Sequence, residues 1–184
     1  GHVDIAFLGG PEVFSTARER KQGFLQALRD QNIPLRAEWV CSGMYRSTAA
    51  YQVAHRILTG SPRPTAIFAA NDLMALGVLE AAAACHLQVP ADVSVMGFDD
   101  IEMASHQRIR LSTVSQDRQR MAELAVRALV DLVEGRAAPP LRTTLLPELV
   151  IRATTGAPSS SAMGGGYRIA HVASVMAAEG RAAS

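Results

Sequence analysis

The sequence is poor in cysteine and in net charge, and it has no long apolar run. Two cysteines in 184 residues cannot build a disulfide framework, so we expect reduced thiols in a cytoplasmic protein. No stretch approaches the roughly 18 consecutive apolar residues that a membrane-spanning helix needs, and the opening residues lack the basic head of a secretory signal. The net charge of +1 gives no electrostatic footprint for nucleic acid. We therefore expect neither a membrane protein, nor a small secreted scaffold, nor a bare nucleic-acid binder.

Strand-like runs alternate with helical patterns through the first half of the chain. The strand candidates are Val3–Leu8, Arg36–Cys41, Thr65–Ala70 and Val93–Phe98. The helix candidates between them are Thr16–Arg29, Ser47–Leu58 and Asn71–Leu87, the last of which begins with a good cap residue. This order predicts βαβ units and hence an α/β fold with a parallel sheet. Apolar residues on both faces of the strands indicate that helices flank the sheet on both sides.

The pattern changes after the fourth strand candidate. A short extended run at Leu111–Val114 is followed by an amphipathic helix pattern from Met121 to Leu132. The expected cap of this helix is Ser115 or Asp117, and the expected stop is Gly135.

Two further segments complete the chain. Thr143–Arg152 is predicted to be a final strand pair or an edge strand, because Pro147 within it cannot donate to a central ladder. Residues 157–184 contain the runs Ser159–Ser161 and Gly164–Gly166, which are typical of linkers. We therefore predict a low-complexity tail there.

Polar and aromatic side chains follow each of the four predicted strands. In an open parallel sheet, ligands bind where the carboxyl ends of the strands meet, so these side chains should converge on one edge. They are Thr16 and Arg20 after the first strand, Tyr45 after the second, Asn71 and Asp72 after the third, and Asp99 and Asp100 after the fourth.

This mixture of side chains suits a polyhydroxylated ligand. An Asp carboxylate accepts hydrogen bonds from paired hydroxyls, Asn both donates and accepts, and Arg donates through a planar fork. An aromatic ring can cover an apolar sugar face or stack on a base. Structural alternatives stay open at this point: Asn71 and Asp72 are also ordinary helix caps, the aspartate pair can be a turn, Tyr45 can pack in a loop, and Arg20 can be a solvated helix residue.

Signatures of enzymes are scarce. The sequence has no G-x-S-x-G elbow, no P-loop, no H-E-x-x-H and no G-x-G-x-x-G motif. A metal-assisted α/β enzyme could use Asp72, Asp99 and Asp100, but the lysine that such sites carry downstream is missing, since Lys21 is the only lysine. We therefore expect no enzymatic activity, no metal and no cofactor.

Five motifs, in the right order, resemble segments of the lactose-repressor-type (LacI/GalR) transcription regulators of bacteria. Together they cover residues 1–156 almost continuously at the spacing of that family. They are Arg20–Phe24 (RKQGF, an R-x-x-G-F element), Pro64–Ala82 (PTAIFAANDLMALGVLEAA), Val89–Ala104 (VPADVSVMGFDDIEMA), Leu111–Asp117 (LSTVSQD) and Leu145–Thr155 (LLPELVIRATT).

The resemblance implies a periplasmic-binding-protein-like effector domain, in which two α/β subdomains enclose a ligand cleft. In such regulators a sugar or another small metabolite changes the affinity of an N-terminal helix-turn-helix domain for operator DNA. The family also implies a homodimer, for which the helix Leu73–Ala84 is a candidate surface, although its apolar residues could equally be core. From the absence of a long apolar run we expect no contact with a membrane. The positions that match ligand-binding or ligand-proximal positions of the family are Thr16, Arg20, Tyr45, Asn71, Asp99, Gln116 and Arg118.

The resemblance covers only the later part of such a regulator. The helix-turn-helix domain and the opening βαβ units have no counterpart here, so operator DNA would be reached only through an N-terminal domain that this chain lacks. The implied organisation is a C-terminal subdomain at 1–110, a crossover at 111–135 whose helix belongs to the N-terminal subdomain, a return segment at 136–156 and the tail at 157–184.

Two positions depart from the pattern of the family. Cys85 stands where these regulators usually have a helix-ending Gly, so His86 is expected to make the break. Arg110 stands where they often have a Pro.

Two functions from different classes follow from this reading. The leading interpretation is the effector-sensing part of a LacI-type transcriptional regulator. The runner-up is a solute-binding protein of a transporter, which shares the fold but needs an export leader.

Overall fold

Four short parallel strands form the centre of the fold. The structure is a computed structural model and describes residues 1–136 and 142–159. The strands lie in the order β2-β1-β3-β4, and their bounds are β1 Ile5–Gly9, β2 Val40–Ser42, β3 Ala66–Ala69 and β4 Ser94–Met96. Each strand pairs in parallel with its neighbour. The predicted α/β fold with a parallel sheet is therefore confirmed.

The core lies on both sides of this sheet. Phe7 of β1 pairs with Val40 of β2 and with Phe68 of β3, and Phe7 itself is fully buried. Its ring stacks on that of Phe24 in the following helix, with ring centroids 5.0 Å apart. Because β1 is buried on both of its faces, helices must cover both sides, as the apolar strands predict.

The helices occupy the positions that the apolar periodicity indicates. Within the described residues they are α1 Ser15–Asp30, α2 Ser47–Leu58, α3 Asp72–Ala84, α4 Glu102–Ser105 and α5 Arg118–Val133. The Asn71 side chain accepts a hydrogen bond from Met74 N at 2.9 Å, and Asp117 accepts one from Arg120 N at 3.0 Å. Asn71 and Asp117 are thus confirmed as caps of α3 and α5.

Two local expectations about helix ends are also confirmed. His86 adopts a φ of 57° directly after the Cys85 cap of α3, so it makes the left-handed break in place of a glycine. Gly135, with a φ of 70°, follows the end of α5.

The second strand is shorter than predicted. Residues Ala37–Trp39 form one 3₁₀ turn, and β2 begins only at Val40. The physical reason is the burial of Trp39, which is only 4% exposed. The Arg36 guanidinium lies over its ring, 4.8 Å from the ring centre. The strand prediction for Arg36–Cys41 is therefore wrong over its first part, and α4 was not predicted.

A small antiparallel pair extends the sheet beyond β4. The strands β5 (Thr113–Ser115) and β6 (Glu148–Val150) pair with each other, and single parallel bridges join Met96 to Ser112 and Asp99 to Ser115. Of the two alternatives for Thr143–Arg152, the edge strand is confirmed, whereas a strand pair within that segment is wrong, because the partner of β6 is β5. This antiparallel pair places the residues after β5 directly beside the loop that follows β4.

Helix α5 buries none of its residues within the described chain. Val126, Leu129 and Val133 are 62%, 61% and 79% exposed. The apolar stripe of α5 is therefore exposed among the described residues. The assignment of this helix to another subdomain and the division of the chain at residues 110, 135 and 156 stay predictions.

Parts of two predictions lie outside the described residues. These are the loop between α5 and the final strand at 137–141 and the tail from residue 160 to 184. Among the residues that are described, no helix has the length and apolar character needed to cross a membrane.

Candidate ligand-binding site

Arg20 links three of the strand ends. It lies on α1, one turn after Thr16 and on the same face, and its side chain is 16% exposed. The guanidinium stacks on the Phe98 ring at 3.9 Å, donates to the backbone oxygen of Ala70, and donates to Asp99 Oδ1 at 3.2 Å. Arg20 is therefore a fixed donor at the carboxyl edge and not a solvated helix residue.

Asp99 uses one of its two carboxylate oxygens for hydrogen bonds to described residues. Its Oδ1 accepts from Arg20 and from Gln116 Nε2, the latter at 2.7 Å. Within the described residues no internal donor bonds to Oδ2, which leaves that oxygen available to a ligand. Burial raises the pKa of Asp99 above its ordinary value, and the nearby Arg20 charge opposes this rise.

Asn71 acts as the cap of α3 at the end of β3. Its Oδ1 is used as the cap of α3, and the residue is 9% exposed. The Nδ2 amide makes no hydrogen bond to another described residue, and Arg20 bonds to the backbone oxygen of the preceding residue, Ala70. The capping alternative is therefore confirmed, and a role of Asn71 in ligand binding stays a prediction.

Tyr45 lies over the turn that follows β1. Met44 and Tyr45 have φ values of 56° and 57°, which turn the chain back over Gly10. The Tyr45 ring fills the space that a Cβ on Gly10 would need, and the Phe14 ring lies 6.4 Å away. Its hydroxyl is buried without a partner among the described residues. The ring thus packs over this turn, and its role as an aromatic wall for a ligand stays a prediction.

The Arg118 side chain contacts a backbone oxygen of the loop after β4. It is the first residue of α5, and its Nη2 donates to the carbonyl oxygen of Asp100 at 2.8 Å. Together with Gln116, it brings the crossover segment to the edge formed by the four strands. Asp99 therefore contacts both Arg20 and Gln116. Arg118 contacts the next residue of the loop, Asp100.

Asp72 is buried below the site and does not line it. Its side chain accepts hydrogen bonds from Thr113 Oγ1 at 2.6 Å and from Ile101 N at 2.8 Å. Asp100 pairs instead with Arg152. The three carboxylates of the metal-enzyme hypothesis thus bind separate partners, and the described residues contain no group of three acidic, histidine or cysteine side chains suited to a metal.

Asp72→Asn should change how stability depends on pH. Burial raises the pKa of Asp72, so the folded state still holds a proton where the unfolded chain has lost it. This contribution to stability is lost as the pH rises through the raised pKa. Asn does not ionise. As the pH rises from the ordinary pKa of aspartate through the raised pKa of Asp72, the free energy of unfolding of the variant, measured in urea titrations, should therefore increase relative to that of the parent. A difference that stays constant with pH contradicts this account.

Sequence reasoning missed two features of the site. Phe98 supports Arg20 from below, although it reads only as the last residue of a strand. The pair of Asp100 with Arg152 joins residues 52 positions apart, and no local pattern announces it. Only the three-dimensional pairing of β5 with β6 brings Arg152 to this loop.

Comparison with known proteins identifies a matching family and similar sequences. Residues 1–155 match the family model described as a periplasmic binding protein-like domain. The chain is 38% identical over 152 residues to the HTH-type transcriptional repressor PurR of Yersinia pestis (strain Pestoides F). The matched region covers 83% of this chain and 45% of that protein. The chain thus spans about half the length of the curated relatives it matches.

Two solved structures have a similar fold. A lac repressor dimer bound to operator and the anti-inducer ONPF has a TM-score of 0.76 and 35% identity, over 85% of this chain and 54% of that one. A complex of the transcriptional regulator CelR with cellobiose has a TM-score of 0.77 and 32% identity, over 84% of this chain and 47% of that one.

Proposed function

Because the chain belongs to the periplasmic binding protein-like domain family, in the form found in LacI-type regulators, we propose that it is the effector-sensing part of a cytoplasmic transcriptional regulator. A small molecule, most simply a sugar, binds at the carboxyl edge of the sheet. Its binding changes the affinity of an attached helix-turn-helix domain for operator DNA. The reported relatives are regulators, which favours this function over the solute-binding protein of a transporter.

The observation that carries the proposal is the Arg20–Asp99–Gln116 cluster. Its two internal hydrogen bonds fix Asp99 Oδ1 and leave Oδ2 to accept from ligand hydroxyls. Asn71 Nδ2 supplies a donor nearby, and Tyr45 supplies an apolar face. Such a mixture of one aromatic wall and a few fixed polar groups is what small-molecule sites commonly offer.

Calorimetry with a defined panel tests the ligand class. The panel contains cellobiose, lactose, glucose, galactose and ribose as sugars, with hypoxanthine and guanine as bases that Tyr45 could stack against. We expect a hydroxyl-rich member to bind and the bases to bind more weakly. Tight binding of a base alone would move the proposal from a sugar to a nucleobase effector.

DNA binding is tested on the full product of the gene. Gel-shift titrations with DNA from its own promoter region, with and without the ligand found by calorimetry, should show a ligand-dependent affinity. Two states that bind the ligand with different affinities are the requirement for such a shift. A full-length product without a helix-turn-helix domain would rule out the regulator.

We also propose a homodimer that uses the outer side of α3. A groove of about 520 Å³ lies beside this helix, lined in part by Leu79, Ala83 and Ile109. Ala83→Arg places charge in this groove and should weaken dimerisation at least about tenfold, as measured by sedimentation equilibrium. Gln22→Arg, on an exposed position of α1, is the matched control and should leave the dimer unchanged.

A further inference from the structure

The loop after β4 holds two consecutive residues in the left-handed region. Asp99 has a φ of 113° and Asp100 a φ of 52°. Such conformations are unfavourable for residues with a Cβ, and they persist only where the surrounding contacts over-determine them. The contacts that hold this loop therefore decide where the Asp99 carboxylate points.

Asp100 accepts the hydrogen bonds that hold this loop. Its Oδ1 accepts a hydrogen bond from Arg152 Nη2 at 2.7 Å, and its backbone oxygen accepts one from Arg118 Nη2 at 2.8 Å. Arg152 also donates from Nη1 to Leu111 O at 2.8 Å. The Asp100 and Arg152 side chains are only 24% and 19% exposed. We call Asp100, Arg118 and Arg152 the loop clamp.

The loop clamp joins three separate parts of the chain. Asp100 belongs to the loop after β4, Arg118 begins α5, and Arg152 follows β6. None of these bonds uses the Asp99 side chain, which is held by Arg20 and Gln116. A movement of α5 would therefore act on the backbone next to Asp99 through Arg118, in addition to its effect on Gln116, which precedes the helix cap.

We propose that the loop clamp positions Asp99 for ligand binding and couples its orientation to α5. Asp100 and Arg152 are positioning residues, and Arg118 acts through the backbone of the loop. The inference rests on the proposed function, since it takes Asp99 to be the residue that faces the ligand.

The test compares Arg152→Gln with Asp100→Asn in the ligand-free chain. The titration of the Asp99 carboxyl carbon is followed by ¹³C NMR in each protein. Either substitution should release the loop and hydrate Asp99, whose pKa burial holds above its ordinary value. Both variants should then lower the Asp99 pKa. The backbone amides of Asp99 and Ile101, which donate to Val114 O and Asp72 Oδ2, should exchange about tenfold faster.

A purely electrostatic influence predicts a different result. Loss of the positive charge of Arg152 would raise the Asp99 pKa, whereas loss of the negative charge of Asp100 would lower it. The other groups that face Asp99 are unchanged in both variants: Arg20, Asp72, Gln116 and Arg118. Opposite shifts in the two variants, or an unchanged pKa in both, overturn the loop clamp.

Arg36→Gln is the matched control. Arg36 pairs with Asp4 at 3.2 Å near the amino end of β1, far along the sheet from the loop clamp. This variant should leave both the Asp99 titration and the two amides unchanged. If Arg152→Gln does not fold, Arg118→Gln, at the exposed start of α5, is used in its place. Unchanged exchange of the two amides in Arg118→Gln also overturns the proposal.

The outcomes separate this inference from the proposed function. A chain that binds none of the panel ligands but shows the paired fall in pKa contradicts the proposed function alone. If the chain binds a panel ligand but both variants leave the Asp99 pKa unchanged, the loop clamp alone is contradicted.

Discussion

Replacing Asp99 should abolish ligand binding while the fold remains. In the proposed function this carboxylate accepts hydrogen bonds from ligand hydroxyls, and hydrogen bonds to a charged group are worth about 1.5–3 kcal/mol each. Loss of two such bonds corresponds to at least about a hundredfold weaker binding in calorimetry. Arg20 keeps its bond to Ala70 and its stacking on Phe98, so the strand ends stay together.

The choice of substitution matters because Asp99 has a φ of 113°. Ala at this position adds backbone strain to the loss of the carboxylate, whereas Gly removes the carboxylate and relieves the strain. Asn keeps the shape and removes only the charge. All three variants, Asp99→Ala, Asp99→Gly and Asp99→Asn, should lose binding, and retained affinity in Asp99→Gly would refute the assignment.

Asp4→Asn is the matched control for these variants. Asp4 and Arg36 form an ion pair of 3.2 Å, the same length as that of Asp99 with Arg20, but it lies near the amino end of β1. Its loss should leave ligand affinity unchanged. An equal loss of affinity in Asp4→Asn would show that both variants act through general stability and not through the site.

The sheet, its main helices and the central cluster could be predicted because their signals are local or topological. Apolar runs and caps mark α2 and α3 within a few residues of their observed ends. The rule that parallel strands present their carboxyl ends at one edge then brings Arg20 to Asp99, 79 residues further along the chain. Gln116 was identified only through its resemblance to a family position, since nothing local marks it.

The remaining features depend on tertiary contacts that no periodicity encodes. Trp39 turns into the core and replaces the start of the predicted second strand by a 3₁₀ turn. Arg152 becomes part of the site only through the pairing of β6 with β5. Local patterns thus indicate which elements exist, whereas the contacts between distant segments decide how the loop after β4 is held.

Two helical glycines should respond to the same substitution with opposite signs. Gly77 lies within α3 where this helix meets the start of α2, and a Cβ built on it would overlap the backbone oxygen of Ser47 and stand 2.9 Å from its carbonyl carbon. Gly23 lies within α1 with no atom within 4 Å of the same built Cβ. The two positions therefore share helix propensity and differ in the space around them.

Gly77→Ala gains about 1 kcal/mol of helix propensity, but overpacking against rigid backbone costs about 1–3 kcal/mol and sometimes more. We expect a net loss in the free energy of unfolding measured with urea, and a larger loss for Gly77→Val. Gly23→Ala meets nothing and should raise stability by about 1 kcal/mol. Since Asn71 and Asp72 begin the helix that Gly77→Ala would displace, that variant should also weaken ligand binding. A stabilised Gly77→Ala would show that α2 and α3 are not in contact at this point.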